Sequence, residues 1–238
     1  MARGVSSAAA LAAAAVLLGF VAPARAEVGV SAEAASDYRF EGLSLSAGRP
    51  VLSASLAYDR KGGLYSGATV LADFARHGGL QPLGYVVYLG YSRRISPDLS
   101  WDVGVANGGV SLFLDKRYKD DYTQIYIGLT NGNVSAHIYY SPSYFGERGG
   151  AVYVEVSGAV RPAPRWRLFG QTGLLTDLGD HGEPDQSQVR VDARAGLARE
   201  FKNFELRASV WATAPTPFFP AGYRQPRQGA VLEAVAFF

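Results

Sequence analysis

The sequence has no cysteine, one methionine and only three histidines in 238 residues. Without cysteine there is no disulfide frame, so a chain exported to an oxidising compartment must be held by its own hydrogen-bond ladder and packing. His77, His137 and His181 are far apart and fall into no metal-ligand spacing, so no cofactor is expected. Net charge is missing too. Setting aside Arg3 and Arg25 of an N-terminal leader from the 23 Lys and Arg leaves as many bases as the 21 acids. That balance removes the basic footprint of a nucleic-acid binder, so no nucleic-acid partner is expected. Beyond the leader no apolar run is long enough for a membrane helix. No phosphate-binding loop or nucleotide fingerprint occurs.

What is present begins with the leader. Arg3 gives a positive start, residues 8–21 are apolar and uncharged, and Ala24-Arg25-Ala26 has the small-x-small form of a cleavage site. The pattern predicts a secretory signal over residues 1–26, removed to leave a mature chain from Glu27 to Phe238. The remainder is rich in glycine (28) and tyrosine (14), a β composition with regular turn punctuation.

Twelve strands are predicted, at residues 28–40, 50–59, 64–74, 84–94, 99–109, 121–130, 134–141, 151–160, 166–177, 187–200, 204–213 and 228–238. Most have the length that crosses a bilayer at a tilt. Short connections (60–63, 95–98, 131–133, 161–165, 201–203) alternate strictly with long ones (41–49, 75–83, 110–120, 142–150, 178–186, 214–227). Asn131-Gly132 is a hairpin-turn signal. An even strand count with alternating short turns and long loops predicts an all-β fold, a transmembrane antiparallel up-and-down barrel of about 12 strands, in the outer membrane of a Gram-negative bacterium.

Side-chain parity agrees. Val189, Val191, Ala193, Ala195 and Leu197 oppose Arg190, Asp192 and Arg194, and Phe204, Leu206, Ala208 and Val210 oppose Glu205, Arg207 and Ser209. A half-solvated soluble sheet has the same period. The aromatics separate the two cases. On the apolar face beside the short turns stand Tyr58, Tyr91, Trp101, Trp166, Phe201, Phe204 and Phe238. Beside the long loops stand Tyr38, Phe40, Phe74, Tyr85 and Tyr140. Two aromatic girdles around an aliphatic band match two membrane interfaces.

Several segments resemble one bacterial family. Ser36-Asp37-Tyr38-Arg39-Phe40-Glu41-Gly42-Leu43-Ser44 resembles an S-D-Y-x-F-R-G-[IV]-S signature, with Glu41 where arginine is usual. Asp121-Tyr122 to Gly128-Leu129 resembles D-Y-x-E-x-Y-x-G-L, with Gln124 in place of glutamate. Tyr139-Tyr140-Ser141-Pro142-Ser143-Tyr144-Phe145-Gly146 resembles Y-Y-S-P-D-Y-F-G, with Ser143 for aspartate. These are patterns of the TorF-type candidate porin family, also known as a domain of unknown function. The resemblance implies an outer-membrane barrel of porin type and supplies no substrate.

Parity predicts a lumen lined by Glu33, Asp59, Arg94, Asp102, Tyr126, His137, Glu155, Arg167, Arg190, Asp192, Arg194, Glu205, Arg207 and Glu233. Such a set suits a polar channel whose charges tune ion selectivity. It equally suits a filled lumen in which acids and bases pair. The arginines at 167, 190, 194 and 207 read as a paired ladder or as an anion-drawing stripe. His137, with Ser135 and Tyr139, invites a hydrolase reading, but parity points it inward, away from acyl chains. The function expected is passive diffusion of small polar solutes or ions through a narrow lumen, with no enzymatic activity. The alternatives are a plugged structural or binding barrel and a lipid hydrolase. Expected partners are outer-membrane lipid and lipopolysaccharide, and the barrel-assembly machinery through the C-terminal strand ending in Phe238. Charged loop residues Lys116, Arg117, Lys119, Asp180, Glu183 and Asp185 read as solvated tips. The segment from Ala214 to Pro220 is expected to pack Phe218 and Phe219 rather than leave them in water.

Overall fold

The computed structural model describes residues 27–74, 78–111, 119–145, 150–179, 189–214 and 226–238. The predicted signal, His77, Lys116, Arg117, the side chain of Lys119, His181, Asp180, Glu183, Asp185 and the segment from Pro215 to Pro220 lie outside the described residues. In chain order the strands are β1 (Glu27–Ala35), β2 (Arg39–Phe40), β3 (Leu43–Ser44), β4 (Val51–Asp59), β5 (Leu64–Phe74), β6 (Leu80–Arg94), β7 (Leu99–Ser111), β8 (Lys119–Asn131), β9 (Val134–Ser143), β10 (Ala151–Ala163), β11 (Trp166–Asp177), β12 (Val189–Glu200), β13 (Phe204–Thr213) and β14 (Gln228–Phe237).

Twelve of them form one closed barrel, and β2 and β3 form a separate two-stranded sheet. Every barrel strand pairs antiparallel with its neighbours in the ring, so the backbone hydrogen bonds run strand to strand around it, as a span through lipid requires. The ring closes where β1 pairs with β14. That seam has five residue pairs, from Ser31–Phe237 to Ala35–Glu233, against the nine that join β1 to β4.

Pleating sorts the side chains. Along β8, Ile125 (55%), Ile127 (55%) and Leu129 (52%) are exposed on the outside, while Gln124 and Tyr126 (3% each) are buried inside. An outer face of valine, leucine and isoleucine runs around the barrel, inverting the pattern of a water-soluble sheet. Such a surface is stable only against lipid.

The predicted first strand and first loop are corrected. Residues 28–40 are not one strand. β1 stops at Ala35, and residues 36–50 fold back into the barrel as the β2–β3 hairpin. Tyr38 (7%) and Phe40 (5%), expected in the outer girdle, are inside the barrel. Glu41 (φ 47°) and Gly42 (φ 79°) both take left-handed conformations, the two-residue turn that suits a tight hairpin. Asp37 organises the stem. Its Oδ1 accepts from the Ser44 and Ser46 hydroxyls and from the Gly48 N–H, and its Oδ2 pairs with Arg39 at 3.1 Å. Arg49 returns the chain to the wall through an ion pair with fully buried Asp73 of β5, at 2.7 Å.

The reason for the inward fold is the hairpin's apolar content. Tyr38, Phe40, Leu43 and Leu45 form one buried cluster with Val51, Leu71, Leu83, Val86, Val110, Tyr122 and Tyr144 of the wall and rim. Each fully buried side chain of this size contributes about 1.5–3 kcal/mol. Several strands also run further than expected. β6 begins at Leu80, β7 reaches Ser111 and β10 reaches Ala163. Ladder pairing carries these strands beyond the membrane band, where hydropathy no longer marks them.

The constricted lumen as candidate functional site

The lumen has two unlike walls. From β5 to β10 it is a tyrosine lattice. The Tyr65 hydroxyl donates to Asp102 at 3.0 Å and meets the Tyr126 hydroxyl at 2.9 Å. Tyr126, Tyr139 and Tyr153 follow one another with ring centroids 5.6 and 6.0 Å apart. His137 stacks on Tyr139 and contacts Asp102 through Nε2 at 3.2 Å. Glycines give these rings room. A Cβ on Gly128 would stand 2.2 Å from His137 Nε2, and one on Gly173 would stand 2.0 Å from the Tyr153 hydroxyl.

From β10 to β14 the wall is a charged ladder. Arg167 donates to Glu205 at 2.6 Å, and Arg207 donates to the same carboxylate. Arg194 pairs with Glu233 at 2.8 Å and donates to Ser209 at 3.0 Å. The Tyr153 hydroxyl donates to Asp192 at 3.2 Å, and Gln171 donates to Glu155 at 2.8 Å. Among the described residues the second Glu155 oxygen and the Ser157 hydroxyl are buried without a hydrogen-bond partner. Glu33 of β1 is half-buried opposite Val235 and feels Glu233, Arg207 and Arg194 electrostatically.

The hairpin crosses between these walls. Its apolar side presses Phe40 on Tyr122, with ring centroids 4.7 Å apart, and on Phe145 at 5.9 Å. Its polar edge faces the ladder. The Arg39 guanidinium lies over the Trp211 ring, 3.1 Å from the centroid, and the Gly42 carbonyl accepts from the Thr213 hydroxyl at 2.9 Å. At the tip, Glu41 is buried and accepts from Gln124 at 2.7 Å and from the Tyr144 hydroxyl at 2.5 Å. Arg190, buried on β12, donates to the same Tyr144 hydroxyl at 3.2 Å. Burial pushes the Glu41 carboxyl up to about 7, against the hydrogen bonds from Tyr144 and Gln124 and the charge of Arg190, which pull it down. Along the polar edge runs a cavity of about 20 Å³ bordered by Arg39, Gln171, Asp192, Arg194, Trp211 and Thr213, room for about one water.

Of the residues predicted to line the lumen, Asp102, Tyr126, His137, Glu155, Arg167, Arg190, Asp192 and Glu205 are buried within it, while Glu33, Arg194, Arg207 and Glu233 are half-buried among them. Arg94 and Asp59 are exposed, at the short-turn rim. His137 is 1% exposed and inside, so it offers no acyl-chain contact at the outer face. The arginine stripe is largely a paired ladder. At the short-turn end, Tyr58, Tyr91, Phe204 and Phe238 are exposed and Trp101 and Trp166 half-buried. Tyr91 lies 5.9 Å from Trp101, and Phe201 stacks on Phe204 at 4.3 Å. At the other end Phe74, Tyr85 and Tyr140 are exposed as expected. Sequence reading missed Arg39, Glu41, Gln124 and Trp211 as lumen residues. For Gln124 and Trp211 inward parity was a usable signal. For Arg39 and Glu41 the usable signal was the Glu-Gly pair, which marks a turn.

A sequence profile of the bacterial family Gcw_chp, described as a bacterial protein of unknown function, matches residues 22–214. No curated protein sequence matches the chain. Among solved structures the chain is similar to the NanC porin, with TM-score 0.61, 8% identity, and coverage of 88% of this chain and 99% of that one. It is also similar to the KdgM porin, with TM-score 0.54, 11% identity, and coverage of 88% and 99%. A KdgM porin in complex with disordered oligogalacturonate gives TM-score 0.52 and 12% identity, with coverage of 89% and 98%. At these identities the likeness is one of fold.

Proposed function

The chain belongs to the Gcw_chp family of bacterial proteins of unknown function, and from that premise we propose that it is an outer-membrane porin of narrow bore. Its short turns face the periplasm and its long loops face outward. It passes small polar solutes or ions by diffusion down their gradients, with the β2–β3 hairpin setting the width of the passage.

The observation that carries this reading is the asymmetry around the hairpin. One flank is sealed by Phe40 against Tyr122 and Phe145. The other meets the wall through polar groups and Trp211, beside the water-sized cavity. A polar solute is stabilised along that edge, where arginines and carboxylates replace its water, and is excluded from the apolar flank. Because Arg167, Arg194 and Arg207 are each paired with Glu205 or Glu233, with Glu33 close to the last two arginines, the solute class is small and polar rather than strongly anionic. The fold shared with the two porins supports the same reading.

A plugged barrel is the second reading, favoured by the tight docking of the hairpin. Conductance of the refolded protein in a planar bilayer, with reversal potential in a salt gradient, separates the two. Discrete steps that scale with salt support the porin. A folded, silent barrel that begins to conduct when the hairpin is shortened supports the plug.

A further inference from the structure

The short-turn rim carries a collar of base that the lumen does not use. Arg60 and Lys61 lie on the first turn, Arg93 and Arg94 at the end of β6, and Arg199 and Lys202 around the last turn, all exposed. The described acidic side chains at this rim are Asp59, Asp98 and Glu200, and Glu200 is paired with Arg161 at 3.1 Å. Self-repulsion makes such a collar costly unless something negative meets it.

Two of these arginines are placed by the ladder itself. Arg93 pairs in register with Trp101, and Arg199 with Trp166. By strand parity both arginines share the outer face with exposed Tyr91 and Leu197. The Arg199 guanidinium lies over the Trp166 ring, 4.9 Å from its centroid, and near Phe201 at 5.5 Å. A tryptophan of the girdle marks the depth of the lipid headgroups. An arginine laddered beside it on the outer face therefore stands where phosphate oxygens lie, and its fork of N–H donors suits them.

We infer that the short-turn rim is a binding surface for the headgroups of anionic phospholipid, with Arg93–Trp101 and Arg199–Trp166 as its two laddered sites. This rests on the orientation given under the proposed function, in which this rim meets the phospholipid leaflet. A soluble anionic partner would need only the turn-tip charges and has no use for arginines on the lipid-facing side.

The test uses the full mature barrel refolded into mixed vesicles of phosphatidylcholine and phosphatidylglycerol in which either the one lipid or the other is brominated. Two of the three tryptophans, Trp101 and Trp166, sit at these sites, while Trp211 is buried in the lumen and supplies a common unquenched fraction. The expected result is preferential quenching by phosphatidylglycerol, with local enrichment of about fivefold per site, the ratio matching ~1 kcal/mol per basic residue at an anionic surface. R93Q/R199Q removes the preference and R93K/R199K keeps most of it. Equal quenching by both lipids in the wild type, or a preference unchanged in R93Q/R199Q, overturns the inference. Absence of quenching by either lipid would instead overturn the membrane orientation itself. Because both arginines are on the rim, heat-modified migration on gels should match the wild type and establish folding.

Discussion

Glu41 is the side chain on which the constriction turns. Undocked in water its carboxyl would titrate in the ordinary range near 4.5, and docked it titrates near 7. Docking therefore takes up a proton between those values. The hairpin is held most firmly below the ordinary range and loosens as pH rises through 7. Single-channel records should show more time in the constricted level at pH 5 than at pH 8. In Glu41→Gln that dependence should flatten, and a slope unchanged in the variant would remove Glu41 as its source. Gly173 makes a second prediction at this scale. Its absent Cβ leaves room for the Tyr153 hydroxyl that donates to Asp192. Gly173→Ala should lower stability by about 1–3 kcal/mol through overpacking, read from the urea midpoint in detergent. Gly170→Ala on the same strand meets only the Arg194 carbonyl oxygen, at 3.6 Å, and should stay within about 0.5 kcal/mol of wild type.

Among the elements, the hairpin is held by apolar contacts that the barrel ladder does not need. Phe40→Ala should weaken its docking by about 3–5 kcal/mol while leaving the twelve-stranded ring intact. The variant should cleave within residues 36–50 under limited proteolysis where the wild type resists, and its conductance should rise. The hairpin also marks where sequence reading failed. The twelve spans were legible because outward Val, Leu and Ile alternate with inward polar residues, as in β8 and β12. Tyr38 and Phe40 were misassigned because a lumen filled by a hairpin is itself apolar in places, so an aromatic at the right parity does not distinguish lipid from core. The departures from the resembled patterns at positions 41 and 124 touch in space, with Gln124 donating to Glu41. At that point a neutral amide meets a carboxyl that burial pushes up.

For the whole molecule, the balance of charge decides what the lumen prefers. Glu205 serves two arginines, Arg167 and Arg207. Glu205→Ala leaves both without it, a loss of about 3–5 kcal/mol for a broken buried pair, and adds net positive charge to the passage. The reversal potential in a salt gradient should move toward anion preference, and Arg194→Ala, which releases Glu233, should move it the other way. A shift of the same sign in both would show that the ladder does not govern selectivity. The architecture was readable at this scale because closure and alternation are properties of the whole pattern. The pairing of the ladder was not, because which acid meets which base depends on register and on side-chain reach across strands.

The seam between β1 and β14 sets an order in time. Ser36 and Leu232 are hydrogen-bonded across 196 residues of chain, a contact that cannot form until the last strand is at hand. Until then the nascent sheet is a curled ribbon with two raw edges. The hairpin springs from the end of β1, beside the final join. The ring therefore shuts next to the root of the segment that narrows it. Until that seam is made there is no enclosed passage for the hairpin to narrow.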